Sequence, residues 1–362
     1  MKKIVIVYGT RPELIKLVPI IKLMQVNEKI NLIVINTGQH KEMVAEIEQA
    51  FEISPTINLN IMQPNQSLSD IMINVAQQIH PILLKAKPDV VLVQGDTSTA
   101  STVATTCFYN KIPVGHIEAG LRSFNLYEPY PEEFNRKVIS LLATFNFTPT
   151  SKSSQNLLQE GLDGTSIFEV GNTIVDMVEL MKAKNENNIE PNENLILITA
   201  HRRENHGVGI LNICAAVKAI IEKHPHIKFI WPLHPNPNVK GTVMNQLKDI
   251  PNVTLTEPLN YLELTKLMQS CKLVWSDSGG IQEECPSFKK PVLILRNVTE
   301  RPEVVDSGFG ILVGTDVDVI VNTTDKLLTN HQEYDKMIAG KNPFGKGDAS
   351  KQIIEILLKE AS

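Results

Sequence analysis

Ile4-Val5-Ile6-Val7-Tyr8-Gly9-Thr10-Arg11-Pro12-Glu13 is a short apolar run that stops at a glycine and turns directly into a helical pattern. The apolar residues that follow, Leu14, Leu17, Ile20, Ile21 and Met24, recur at helical spacing. A strand that is apolar on both faces and leads into a helix belongs to a buried, parallel sheet. The same pattern returns along the chain at residues 32–37, 90–94, 114–118, 195–200, 228–232, 273–276 and 291–295. The fold class read from it is α/β, as two Rossmann-like doubly wound domains with a central cleft, the ligand groups standing at the carboxyl ends of the strands. The Met1-Lys2-Lys3 start resembles the head of a signal peptide, but its apolar run ends after five residues. No stretch approaches 18 apolar residues, so no membrane span is expected.

At 362 residues the chain is long enough for two domains, and 42 % apolar with 21 % charged residues is a globular composition. The polar stretch 182–194, rich in Lys, Asn and Glu, reads as a linker near the middle. The expected domains are 1–171, joined by a C-terminal helix at about 346–362, and 172–345. A net charge of −5 offers no basic field for nucleic acid or anionic lipid. Any phosphate must be held locally, by helix N-termini and chosen Arg or Lys side chains. Cys107, Cys214, Cys271 and Cys285 are far apart and form no C-x-x-C pair, which points to reduced core thiols.

The polar motifs fall where strands end. Gly9-Thr10-Arg11-Pro12-Glu13 puts Arg11 and Lys16 near a helix start, where they fit an anion; an ordinary β-α turn with a surface Arg fits as well. Asp96, in Gln94-Gly95-Asp96-Thr97, has the simpler role of a helix N-cap. Glu118, in His116-Ile117-Glu118-Ala119-Gly120, invites the same reading, yet a carboxylate ending a buried strand is costly unless paired or functional. Pro131-Glu132-Glu133-Phe134-Asn135-Arg136 places Glu132 and Arg136 at i and i+4, where a surface ion pair is the plain alternative. In the second half, His201-Arg202-Arg203-Glu204-Asn205 follows a strand with a dense set of polar groups. Ser278-Gly279-Gly280-Ile281-Gln282-Glu283-Glu284 reads as a helix start with backbone N–H groups suited to a diphosphate. Thr299-Glu300-Arg301-Pro302-Glu303 sets an Arg before a helix opened by Pro. Asp316-Val317-Asp318 spells a D-x-D, for which helix capping is the preferred reading.

In their order and spacing, these motifs resemble the signature of the non-hydrolysing UDP-N-acetylglucosamine 2-epimerases over roughly residues 3–350. The resemblance implies a GT-B-like fold, a returning C-terminal helix at about 349–358, and a homodimer. It implies a catalytic set of Asp96, Glu118, Glu132 and His201 with Arg136 beside it, and Arg11, Lys16, Ser278, Gly279, Gly280, Glu284 and Arg301 around UDP. Departures from the family pattern are Tyr130, Phe134 and Cys285, none of which removes a catalytic group. The expected activity is cytoplasmic interconversion of UDP-GlcNAc and UDP-ManNAc for cell-surface polysaccharide, with no cofactor or metal and no nucleic-acid or membrane partner. Rival readings are a GT-B glycosyltransferase, a hydrolysing epimerase, an epimerase of a modified UDP-sugar, and a nucleotide-sugar binding protein without turnover.

Many bacterial members of that family carry a second UDP-GlcNAc site, built partly on a Gln-His-x-x-Met segment and a later Arg. Gln39, His40 and Met43 match it. Glu42 stands where an amide is usual, and Gln63-Pro64-Asn65-Gln66 stands where the Arg is expected. Lost charge-assisted hydrogen bonds and direct repulsion both disfavour a diphosphate there, with Lys41 a partial substitute.

Overall fold

The computed structural model describes residues 1–39, 41–63, 66–184 and 189–360. The chain divides into two units, Met1–Met177 with Phe344–Ser362, and Val178–Pro343.

The first unit is a parallel sheet with β1 (Lys2–Tyr8), β2 (Ile30–Asn36), β3 (Ile57–Asn58), β4 (Val90–Gln94), β5 (Val114–Ile117), β6 (Phe145–Thr148) and β7 (Ile167–Glu169), in the order β3-β2-β1-β4-β5-β6-β7. Its helices are α1 (Arg11–Gln25), α2 (Lys41–Ala50), α3 (Leu68–Ala86), α4 (Ser98–Tyr109), α5 (Glu132–Leu142) and α6 (Ser151–Gln159); α7 (Thr173–Lys184) contains the boundary between the units. The strand order reverses direction between β1 and β4, which makes the carboxyl ends of those two strands the switch point of the sheet. Val5, Val7, Val91 and Val93 pack with Ile71, Val75, Ile79 and Leu83 of α3. Each such side chain contributes about 1.5–3 kcal/mol through burial.

The second unit holds β8 (Asn192–Thr199), β9 (Lys228–Pro232), β10 (Val253–Thr256), β11 (Cys271–Ser276), β12 (Val292–Ile294) and β13 (Gly310–Leu312), ordered β10-β9-β8-β11-β12-β13 and again parallel. Its helices are α8 (Val208–Lys223), α9 (Pro237–Leu247), α10 (Tyr261–Ser270), α11 (Gly279–Glu284), α12 (Pro302–Asp306), α13 (Val317–Thr329) and α14 (His331–Ile338). Here the reversal lies between β8 and β11. Trp231 and Trp275 are fully buried in its core, the latter edge-to-face with Phe229 at 5.3 Å between ring centroids.

The last helix, α15 (Ala349–Glu360), belongs to the first unit and packs on α1. Asp176 of α7 accepts from Ala349 N at 3.3 Å and Ser350 N at 2.8 Å, and Lys2 Nζ donates to Leu357 O at 2.9 Å. Orphan donors at the start of α15 are thereby satisfied by a buried carboxylate.

Two sequence expectations need correction. Residues 182–194 are not a continuous linker: α7 runs through Lys184 and β8 begins at Asn192, which pairs in register with Cys271. The ends of both elements are exposed and polar, so their composition imitates a linker; residues 185–188 lie outside the described residues. The strands β3, β6, β7, β10 and β13 were not anticipated. Four of them are short strands at sheet edges, and β6, Phe-Asn-Phe-Thr, alternates apolar with polar residues.

Candidate active site

At the switch point of the first unit, the β1–α1 and β4–α4 turns are joined by Glu13. Its Oε2 accepts from Gly9 N at 2.9 Å and Thr10 N at 2.7 Å, and Thr97 Oγ1 donates to its Oε1 at 2.6 Å. Burial raises its pKa and those hydrogen bonds oppose the shift. Arg11 stands half-buried at the first position of α1.

Asp96 does not cap α4. That place is taken by Thr97, whose hydroxyl accepts from Ala100 N at 3.0 Å. The Asp96 carboxylate turns instead to Arg136: Oδ2 receives Nε at 2.9 Å and Nη2 at 2.8 Å. Asn135 Nδ2 donates to Asp96 O at 2.9 Å, fixing the backbone as well. The third arm of Arg136, Nη1, reaches Glu133 Oε2 at 3.2 Å. Glu133 is fully buried and accepts from Ser123 N at 2.9 Å and Phe124 N at 3.2 Å. One guanidinium therefore joins the end of β4, helix α5 and the loop before it. Glu132 opens α5 behind Pro131.

Glu118 follows β5 in the left-handed region at φ 69°, a strained backbone for a residue with a Cβ. Lys16 of α1 forms an ion pair with its Oε2, and Gln94 Nε2 donates to the same oxygen at 2.7 Å. Gly120, at φ 87°, passes so close to Ser153 that a Cβ would strike the Ser153 carbonyl. Nearby His116 is fully buried, its Nε2–H donating to Gly95 O at 2.8 Å. Burial drives its pKa down to about 4 against that bond, helped by Arg122 and Arg136, so the ring is neutral. It carries the residue before Asp96. Arg122 itself makes a forked contact to Glu160, at 2.8–3.0 Å.

In the second unit the switch point brings together the ends of β8 and β11. His201 stacks on His234, centroids 5.3 Å apart and planes 11° off parallel. Asp277 lies behind it, fully buried, and accepts from His201 N at 2.9 Å, Arg202 N at 2.8 Å and Asn205 Nδ2 at 3.0 Å. Burial lowers the pKa of His201; the Asp277 charge opposes this, and His234, Arg202 and His206 add to the lowering. Ser278 precedes α11, whose first residues Gly279 and Gly280 present backbone N–H groups at the helix start. Arg301 lies across that start, its guanidinium carbon 3.2 Å from where a Gly279 Cβ would be. Glu283 Oε1 accepts from Arg301 Nε at 2.8 Å and Glu300 Oε2 from Nη1 at 2.8 Å, so the cation arrives with two carboxylates on it. Glu284 is buried in α11.

Each unit thus collects its polar groups at its own switch point: carboxylates set on cations in the first, an imidazole, helix-start N–H groups and a guanidinium in the second. The first set suits proton transfer and the second suits an anion. Among the described residues, no group of three or more His, Cys, Asp or Glu is placed to hold a metal ion. Asp316 caps α13, accepting from Val319 N at 3.0 Å. All four cysteines are buried and free.

Of the possible second-site residues, the Gln39 amide oxygen accepts from Thr99 Oγ1 at 2.8 Å and Met43 is exposed on α2. His40 lies outside the described residues. The sequence motifs do not single out Glu13, Glu133, Asp277 or His116 as supports. Each sits in or beside one of those motifs, and the signal that finds Asp277 is the one that marks Glu118, a carboxylate directly after a buried strand.

The chain matches the family model described as UDP-N-acetylglucosamine 2-epimerase over residues 22–358. It is 46 % identical over 369 residues to the UDP-N-acetylglucosamine 2-epimerase of Neisseria meningitidis serogroup A, covering 99 % of both chains. It is 44 % identical over 375 residues to that of Campylobacter jejuni, covering 99 % of this chain and 98 % of that one. The crystal structure of the N. meningitidis UDP-GlcNAc 2-epimerase bound to UDP-GlcNAc matches with a TM-score of 0.92 at 44 % identity, over 99 % of this chain and 100 % of that one. The Methanocaldococcus jannaschii enzyme in complex with UDP-GlcNAc and UDP matches with a TM-score of 0.82 at 35 % identity, over 99 % of each. The two parallel-sheet units are of the GT-B-like kind that these neighbours have. By sequence, fold and motif order, the chain belongs to the UDP-N-acetylglucosamine 2-epimerase family.

Proposed function

We propose that the chain is a non-hydrolysing epimerase that interconverts UDP-GlcNAc and UDP-ManNAc without a metal or nicotinamide. The C2 hydrogen of a GlcNAc ring is not next to a carbonyl, so simple deprotonation would leave a very unstable carbanion. Elimination avoids it: a base takes the C2 proton as the C1–O bond to UDP breaks, giving neutral 2-acetamidoglucal. Re-addition of UDP to C1, with a proton delivered to the opposite face of C2, completes the inversion. This route needs proton-transfer groups on both faces of C2 and a firm hold on the departing diphosphate.

The observation that carries the reading is the pair of strand-end carboxylates, Asp96 clamped by Arg136 and Glu118 held by Lys16 and Gln94. Asp96, Glu118 and Glu132 are assigned to proton transfer and its support, and Arg136 to orienting Asp96. His201, Arg11, Lys16, Ser278, Gly279, Gly280, Glu284 and Arg301 are assigned to UDP and the sugar beside it. Lys16 serves both sets, since its ammonium already rests on Glu118. The proposed setting is a cytoplasmic homodimer supplying ManNAc-type sugars to cell-surface polysaccharide.

The test is incubation of the purified protein with UDP-GlcNAc alone in D2O, followed by NMR. The expected result is a mixture of UDP-GlcNAc and UDP-ManNAc carrying deuterium at C2. Release of free ManNAc and UDP would instead identify a hydrolysing enzyme, and no reaction until an acceptor is added would identify a glycosyltransferase.

A further inference from the structure

Asp277 has an uneven set of partners. Its Oδ2 takes three donors, the backbone N–H groups of His201 and Arg202 and the Asn205 amide, while its own N–H donates to Thr199 O at 3.1 Å. Its Oδ1 is equally buried and has no hydrogen-bond donor among the described residues. The group facing Oδ1 is the His201 ring, whose Nδ1 is 3.6 Å away. An unsatisfied carboxylate oxygen in a dry site is costly, and an imidazole N–H is the donor within reach.

We propose that Asp277 is the positioning residue of His201: it holds Nδ1–H toward its Oδ1 and thereby presents Nε2 to the ligand. The proposal rests on the reading above that His201 acts on the UDP-sugar. At 3.6 Å the contact is longer than a formed hydrogen bond, and a ring movement of less than about 1 Å closes it. A slide of the ring in its own plane keeps it parallel to His234. In a neutral imidazole one nitrogen keeps the proton; a carboxylate favours the proton on the nitrogen beside it and repels a lone pair there. Nε2 is left with the lone pair, able to accept from a sugar hydroxyl or to take a proton. When it takes one, the imidazolium lies beside a buried anion that stabilises it. Of the charged and titratable neighbours of the ring, His234, Arg202 and His206 disfavour a positive charge and Asp277 favours it.

A purely structural Asp277 would pin the 201–205 turn without choosing a tautomer, and 15N NMR of the histidine rings separates the two roles. In the wild-type protein at pH 8, His201 is expected as the Nδ1–H tautomer with a slow-exchanging ring signal. In Asp277→Asn it is expected to become a tautomer mixture, while UDP-GlcNAc turnover falls about 10²-fold or more through kcat rather than KM. A wild-type His201 protonated on Nε2 at that pH overturns the proposal, and this reading needs no folded variant. So does an Asp277→Asn protein that keeps the wild-type tautomer. If the tautomer changes but neither Asp277→Asn nor His201→Ala alters turnover, His201 is not used in the reaction and its positioning falls with it. A protein inert toward UDP-GlcNAc in the wild type would refute the epimerase reading, while the ring spectra would still decide whether Asp277 orients His201.

Discussion

Arg136 offers the sharpest test of how the first unit couples stability to its reactive groups. Arg136→Met keeps the apolar bulk of the side chain and removes its charge, leaving Glu133 buried with two backbone donors and Asp96 without its clamp. Breaking a buried ion pair by removing one partner costs about 3–5 kcal/mol. The Asp96 side chain is 27 % exposed and regains water, so the lower end, about 3 kcal/mol, is expected, most of it from Glu133. For a domain of this size that is a fall in Tm of roughly 6–12 °C. Arg136→Lys retains the charge, but an ammonium cannot span both Nε and Nη2 contacts to Asp96 while still reaching Glu133. Its stability loss should be near 1 kcal/mol, within the range for a retained but poorer hydrogen-bonded charge. Its turnover should nonetheless drop about 10²-fold, because Asp96 is no longer aimed.

The assay is thermal unfolding by circular dichroism alongside initial rates on UDP-GlcNAc for both variants. An Arg136→Met protein melting within about 2 °C of wild type would show that Glu133 does not depend on the guanidinium, and that the energetic argument is wrong. An Arg136→Lys protein with undiminished turnover would show that the orientation of Asp96 is set elsewhere.

Asp96→Asn and Glu118→Gln should each lower initial rates on UDP-GlcNAc by about 10²-fold or more; near-full activity in both would sink the carboxylate assignment. Activity should persist after dialysis against EDTA, whereas loss on chelation with recovery on adding a divalent ion would refute a metal-free reaction. His116, with its pKa pushed down to about 4 by burial, binds a proton more readily unfolded than folded, so stability should fall as pH drops from about 6.5 toward 4. The slope should reach about 1.4 kcal/mol per pH unit in urea titrations, and a His116→Gln protein with the wild-type slope would assign that loss to another group. Starting from pure UDP-ManNAc, the reverse reaction should run without a lag, given Glu42 and the Arg-free segment 63–66; a lag abolished by trace UDP-GlcNAc would mean that a second nucleotide-sugar site is intact.

What was legible in the sequence follows from how burial shapes composition. The strands beside each switch point, β1, β4, β8 and β11, have buried carboxyl-terminal halves that read as continuous apolar runs, so their ends can be located and the polar groups there singled out. The edge strands β3 and β13 have one flank open to solvent, and their two or three residues carry no such signature. The same physics divides the site residues. Asp96, Glu118 and His201 are visible because each is an ionisable group within two residues of the end of a largely apolar strand. Glu13, Glu133 and Asp277 lie one to four residues from residues that were chosen, and which neighbour turns inward depends on the helix rotation of about 100° per residue or on the twist of a turn. The i, i+4 spacing pairs Glu132 with Arg136, whereas the contact seen on that guanidinium from within α5 is that of Glu133, three residues away. Reactive groups in such a fold are announced by strand ends, and so is Asp277, directly after β11; which group that buried acid orients is decided by topology, as β11 brings it to the end of β8.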